Sequence, residues 1–120
     1  MIVKFFKFGK GNSKSCIDYL LGADRDREHA LVSSGDVELT SAIIDSSRFA
    51  KKYTSGCLSF AEADLSDDAK KKIMADYEKC LFPGMAEDQY NITWIEHKDK
   101  GRLELNFVIP NVELSTGKRL

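Results

Sequence analysis

The chain of 120 residues is poor in several features that mark whole classes of protein. Its three cysteines, Cys16, Cys57 and Cys80, are widely spaced and form no CxxC pair. The odd count argues against a disulfide framework, and the thiols read as small core residues of a reducing cytoplasm. No apolar run is long enough to span a membrane, and the opening MIVKFFKFGKG lacks the apolar stretch of a secretory signal. Charge of one sign is missing too. A formal net charge of −1 excludes nonspecific, charge-driven nucleic-acid binding, so any such binding must use a local basic patch. No repeat, low-complexity segment or linker divides the chain, and residues 1–120 suit one domain with a single core.

What the chain does contain is strong alternation between Trp94 and Asn111, WIEHKDKGRLELNFVIPN. Leu103, Leu105, Phe107 and Ile109 occupy the odd positions, whereas Glu104 and Asn106 fall on the other face, as in a strand with one side on a core. The preceding run places Tyr90, Ile92 and Trp94 on one face and Asn91, Thr93, Ile95, His97 and Asp99 on the other. A two-residue turn at Lys100-Gly101 closes a hairpin, with glycine supplying the positive φ. Asp99 then pairs with Arg102 and His97 with Glu104. Opposed Cβ atoms lie roughly 4.5–5.5 Å apart, and the diagonal Asn106 about 7–8 Å away. An imidazole, a carboxylate and an amide oxygen thus gather on one face, a plausible divalent-metal site. By spacing alone an ordinary cross-strand pair on a solvated face is the commoner arrangement, and Asp99 is placed to orient His97.

Along the rest of the chain, Met1–Phe8 reads as a first strand, its imperfect alternation suiting a central place in the sheet. Ser13 caps a helix over Lys14–Leu21, stopped by Gly22, with Cys16, Ile17, Leu20 and Leu21 on one stripe. Tyr19 points away from that stripe, as a surface tyrosine would. A charged connection, 23–29, leads to a brief strand at Ala30–Ser33. Asp36 caps a second helix running to about Arg48, with Leu39, Ile43 and Ile44 turned inward. Tyr53–Phe60 is another strand. Ser66 caps the longest helix, with Asp67 and Asp68 in its first turn. Ile73, Met74, Tyr77, Cys80 and Leu81 are its buried stripe, and Lys70-Lys71-Lys72 its solvated face. Val112–Leu120 is a polar tail. The order predicts an α+β fold with a largely antiparallel sheet, helices on one face and the His97 trio on the other.

The run HKDKGRLELNFVIPN, with IDYLLG, KKYTSG, LSFAEADLS and LFPG before it in order, resembles the relaxases. These are the mobilisation nucleases of plasmids and other mobile elements, within the HUH endonuclease group. The resemblance covers nearly the whole chain. It matches the branch whose metal site is a His-Glu-Asn trio, here His97, Glu104 and Asn106. It also implies Tyr19 as the nucleophile and Asp99 as the acidic residue beside the first ligand. A phenol with a pKa of about 10 is a poor nucleophile at neutral pH and needs a base or nearby positive charge. One nitrogen and two oxygen ligands suit Mg²⁺ or Mn²⁺. Lys10, Lys14, Lys98, Lys100 and Arg102 are candidate DNA contacts, although exposed lysines need no such role.

The resemblance implies a metal-dependent, site-specific DNA nickase acting on single-stranded or locally melted DNA, with no membrane partner. The sequence ends with STGKRL, where relaxases normally continue. In this it is similar to short nickases encoded by phage satellites, which implies nick-and-release directed at phage or mobile-element DNA. The competing readings are a DNA-binding relaxase remnant without turnover, and a plain structural domain.

Overall fold

A computed structural model describes residues 1–7, 9–98 and 100–120. Five strands make one sheet: β1 (Ile2–Phe5), β2 (Ala30–Ser34), β3 (Tyr53–Ser59), β4 (Thr93–His97) and β5 (Glu104–Pro110). Their spatial order is β1-β3-β5-β4-β2, and every neighbouring pair is antiparallel. Among the described residues three α-helices interleave with them: α1 (Ser13–Leu21), α2 (Val37–Asp45) and α3 (Asp67–Leu81). The fold is therefore α+β, in the element order expected. Among the described residues no helix is long and apolar enough to cross a membrane.

β5 sits at the centre, and all seven of its residues are buried. Its odd residues Leu105, Phe107 and Ile109 join Trp94, Leu58 and Met74 in a core beneath α3. Val108 on its other face joins Ile95, Tyr53, Ile17, Leu20 and Ile44 in a second core beneath α1 and α2. The helices are thus shared between the two faces rather than confined to one. The reason is compositional: Ile95 and Val108 make the trio's face apolar too, and α1 and α2 cover that part of it.

Other differences have local causes. β1 is an edge strand, exposed along its length, because it pairs only with β3. Phe8, expected at its end, lies outside the described residues. Asn12 rather than Ser13 caps α1, accepting from the Lys14 N–H, while Ser13 donates from both N and Oγ to the Asp45 carboxylate at 2.8 and 2.9 Å. That contact ties the start of α1 to the end of α2, which stops at Asp45, short of Arg48. Leu39 and Cys80 face solvent, at the margins of their helical stripes. Lys70 is buried, not solvated: Nζ lies 2.8 Å from Glu96 and 2.7 Å from Asp64. In the tail, Val112 pairs with Arg119 around a turn at Gly117.

Candidate active site

The β4–β5 register is the one the alternation predicts, with His97 opposite Glu104, Ile95 opposite Asn106 and Trp94 opposite Phe107. The paired strands end at His97 and Glu104, so the turn is longer than two residues; Gly101, at φ 76°, donates its N–H to the Lys98 carbonyl. Asp99, expected to pair with Arg102 and to orient His97, lies outside the described residues. Pairing with β3 continues the rows across the sheet. Ser59 stands opposite Glu104 and Cys57 opposite Asn106.

The trio does not lie on a solvated face. His97, Glu104 and Asn106 are 4%, 8% and 4% exposed, and burying such groups costs free energy unless they have partners. The Nε2 of His97 is 2.7 Å from the carbonyl oxygen of Leu20 in α1. Asn106 donates from Nδ2 to the Ile95 carbonyl at 3.3 Å, which makes Oδ1 the atom it offers a cation. Glu104 has looser neighbours: the Cys57 thiol at 3.9 Å and Lys100 Nζ at 3.8 Å. Burial, and then the Glu104 charge, push the Cys57 thiol above its ordinary range.

These donors suit a hard divalent cation. A carboxylate, an amide oxygen and an imidazole stand on adjacent positions of two paired strands, and such ions prefer oxygen ligands. Among the described residues no three His, Cys, Asp or Glu side chains cluster as metal ligands. A metal here would be held by one ring nitrogen of His97, the Glu104 carboxylate and the Asn106 amide oxygen.

Tyr19 is 64% exposed on α1, one residue before the carbonyl that meets His97. The guanidinium of Arg27 sits 5.2 Å from the centre of its ring and donates to its backbone carbonyl at 2.6 Å. Sequence reasoning missed Arg27, because in ADRDREH nothing separates it from Arg25. It also missed Cys57, whose place beside Glu104 follows only from the β3–β5 register. Among the basic candidates, Lys14 is paired with Asp18 at 2.5 Å, Lys98 with Asp64 at 3.1 Å, and Lys100 stands near Glu104. Lys10 and Arg102 are exposed. Tyr53, Tyr77 and Tyr90 pack into the protein as expected. A cavity of about 590 Å³, lined by Ser33, Glu78, Lys79 and Tyr90, lies on the α3 side, away from the trio's face.

An antiparallel sheet carrying a buried His-Glu-Asn set beneath a tyrosine-bearing helix is compatible with a relaxase-like fold. No protein-family model matches the chain. Over all 120 residues it is 59% identical to cryptic plasmid protein C of Neisseria gonorrhoeae and 58% identical to DNA relaxase MbeA of Escherichia coli. It spans 58% of the first relative and 23% of the second. Over its full length the chain is thus similar to a plasmid protein and to a protein named DNA relaxase.

Proposed function

We propose that residues 1–120 act as a metal-dependent DNA nickase of the HUH group, with Tyr19 as nucleophile and His97, Glu104 and Asn106 as metal ligands. The observation that carries this reading is the contact between His97 Nε2 and the Leu20 carbonyl, which sets the tyrosine helix against the buried trio. The similarity to a protein named DNA relaxase supports the reaction class. Mg²⁺ or Mn²⁺ at the trio would neutralise charge on the non-bridging oxygens of the scissile phosphate.

The protein's own groups have the following roles. Tyr19 Oη attacks phosphorus while the bond to the 3′ oxygen breaks, leaving a phosphotyrosine on the 5′ end and a free 3′ hydroxyl. The phenol gives up one proton and the leaving oxygen takes one, so the step is proton-neutral overall. Arg27 places positive charge against the ring that must become anionic. Asp99, which the resemblance makes the acidic residue beside the first ligand, would orient His97 or accept the phenolic proton. The substrate is DNA, met as a single strand or a melted site in the bacterial cytoplasm. A relative named as a plasmid protein favours a mobile element over a phage genome as the target.

Supercoiled plasmid carrying candidate origins, incubated with Mn²⁺, Mg²⁺ or EDTA, tests this. Metal-dependent open circles from the parent, absent with Tyr19→Phe and with His97→Ala, are expected. Binding of the same DNA without nicking would identify a DNA-binding remnant instead, and nicking by Tyr19→Phe would exclude the tyrosine mechanism.

A further inference from the structure

The nicking chemistry leaves one feature beside Tyr19 unused. A cavity of about 530 Å³ opens between α1 and the β1–β3 edge, in the size range of small-ligand pockets. Phe6, Tyr53 and Tyr19 supply aromatic walls, Cys16 and Ser55 part of the lining, and Lys7 a cation. The cavity adjoins the candidate active site, because Leu20, whose carbonyl meets His97, lines it as well.

Its chemistry is selective. Burial pushes the Cys16 thiol up to about 11, outweighing hydrogen bonds with Tyr53 and Ser55 that act in the other direction, so the thiol is uncharged at neutral pH. The neighbouring chain, by contrast, carries charge of one sign. From Met1 to Ile17 it holds Lys4, Lys7, Lys10 and Lys14 and no carboxylate. Asp18, the next acid, is held by Lys14 and Arg25. An aromatic-walled slot with a basic surround suits a planar base attached to a phosphate. Single-stranded nucleic acid is bound by stacking on aromatic rings along a positive groove, with little dependence on which base it is. An apolar peptide would gain nothing from the lysines.

We propose that this cavity holds one unstacked base of the DNA strand next to the scissile phosphate, with Lys7 against the adjoining phosphate. The inference rests on the nickase reading, because Tyr19 both lines the cavity and attacks. A base lodged there fixes the strand on the Tyr19 side of the trio, so the phosphate beside it is the one presented to the phenol.

The test separates the two claims. In a Cys80→Ser background, which removes the exposed thiol, labelling of Cys16 by a maleimide is followed by peptide mass spectrometry with and without a single-stranded dT10 oligonucleotide. Protection of Cys16 by dT10 is expected. Cys16→Trp, which fills the cavity, and Phe6→Ala, which removes a wall, should each weaken dT10 binding by about tenfold in fluorescence anisotropy. Phe6 is partly exposed, so its variant keeps the measurement valid if the tryptophan disturbs folding. Unchanged labelling, with both variants binding dT10 and nicking plasmid like the parent, overturns the cavity while leaving the nickase standing. A parent that does not nick overturns the nickase, and protection of Cys16 still decides the cavity.

Discussion

His97 Nε2 and the Leu20 carbonyl oxygen stand 2.7 Å apart, although 77 residues separate them in the chain. The contact joins the end of β4 to the last turn of α1, where carbonyls lack intrahelical partners. It satisfies two buried polar groups at once and fixes where Tyr19 stands relative to the trio. Replacing His97 by alanine leaves that carbonyl without its partner. Such a loss costs about 1–3 kcal/mol. We expect His97→Ala to unfold at lower urea concentration than the parent and to lose its calorimetric Mn²⁺ signal. Equal Mn²⁺ binding by both proteins would remove His97 from the ligand set.

Tyr19 offers the opposite case. Its side chain is mostly exposed, and surface substitutions typically change stability within about 0.5 kcal/mol. Tyr19→Phe should therefore keep the parent's urea midpoint and Mn²⁺ affinity while nicking falls on the order of 10³-fold or more. A denaturing gel with radiolabelled DNA would show the covalent protein–DNA adduct in the parent only.

Arg27 is the residue most open to a graded test. A cation over an exposed aromatic ring contributes about 0.5–1 kcal/mol. Arg27→Gln should slow single-turnover nicking at saturating DNA about two- to fivefold while leaving DNA affinity unchanged. A loss of affinity with the saturated rate unchanged would mean that Arg27 acts on DNA binding instead.

Acid should weaken the fold by a definite route. Hydrogen bonds from Lys70, the Leu65 N–H and Lys98 hold Asp64 well below the usual carboxylate range, and those from Ser115 and Thr116 lower Glu113 to about 2. Both groups have folded pKa values below their unfolded ones, so the folded state binds fewer protons and stability rises with pH. That contribution is present above about pH 4.5 and lost as pH falls toward 2. Urea midpoints measured across that window should decline as pH drops, and Glu113→Gln should flatten part of the decline. A flat profile in the parent would show that these carboxylates are equally favoured in the unfolded chain.

The hairpin was legible in the sequence because alternation fixes register: a slip of one residue would turn Trp94 and Phe107 to the other face and His97 with them. Caps at Asp36 and Ser66 were legible for the same local reason, each side chain accepting an N–H three residues on. The arrangement of distant elements was not. β1 reads as β-branched and aromatic whether it is central or at the edge, and only pairing with β3 decides. The apolar margin of the trio's face gave no sign of how much of it α1 and α2 would cover. Cys57, Arg27 and the cavity at Cys16 are products of those long-range placements. Lys70 was misread for a related reason, because a lysine in a run of three carries no mark of the Glu96 that awaits it.

That lysine gives the last prediction. Lys70 and Glu96 are both buried, with Nζ 2.8 and 2.9 Å from the two carboxylate oxygens, and Asp64 holds the same Nζ and passes on to Lys98. The network ties α3 to the strand position directly before His97, so its strength bears on the site as well as on the fold. Removing one partner strands a buried charge and typically costs about 3–5 kcal/mol, whereas replacing the pair by apolar groups of like volume is often neutral. Lys70→Met should therefore be strongly destabilised, and Lys70→Met combined with Glu96→Leu should recover most of the loss. Urea unfolding of the two single variants and the double variant closes the cycle. If Lys70→Met costs no more than a surface substitution, Glu96 is solvated in the variant and the buried pair is not what fixes α3 to β4.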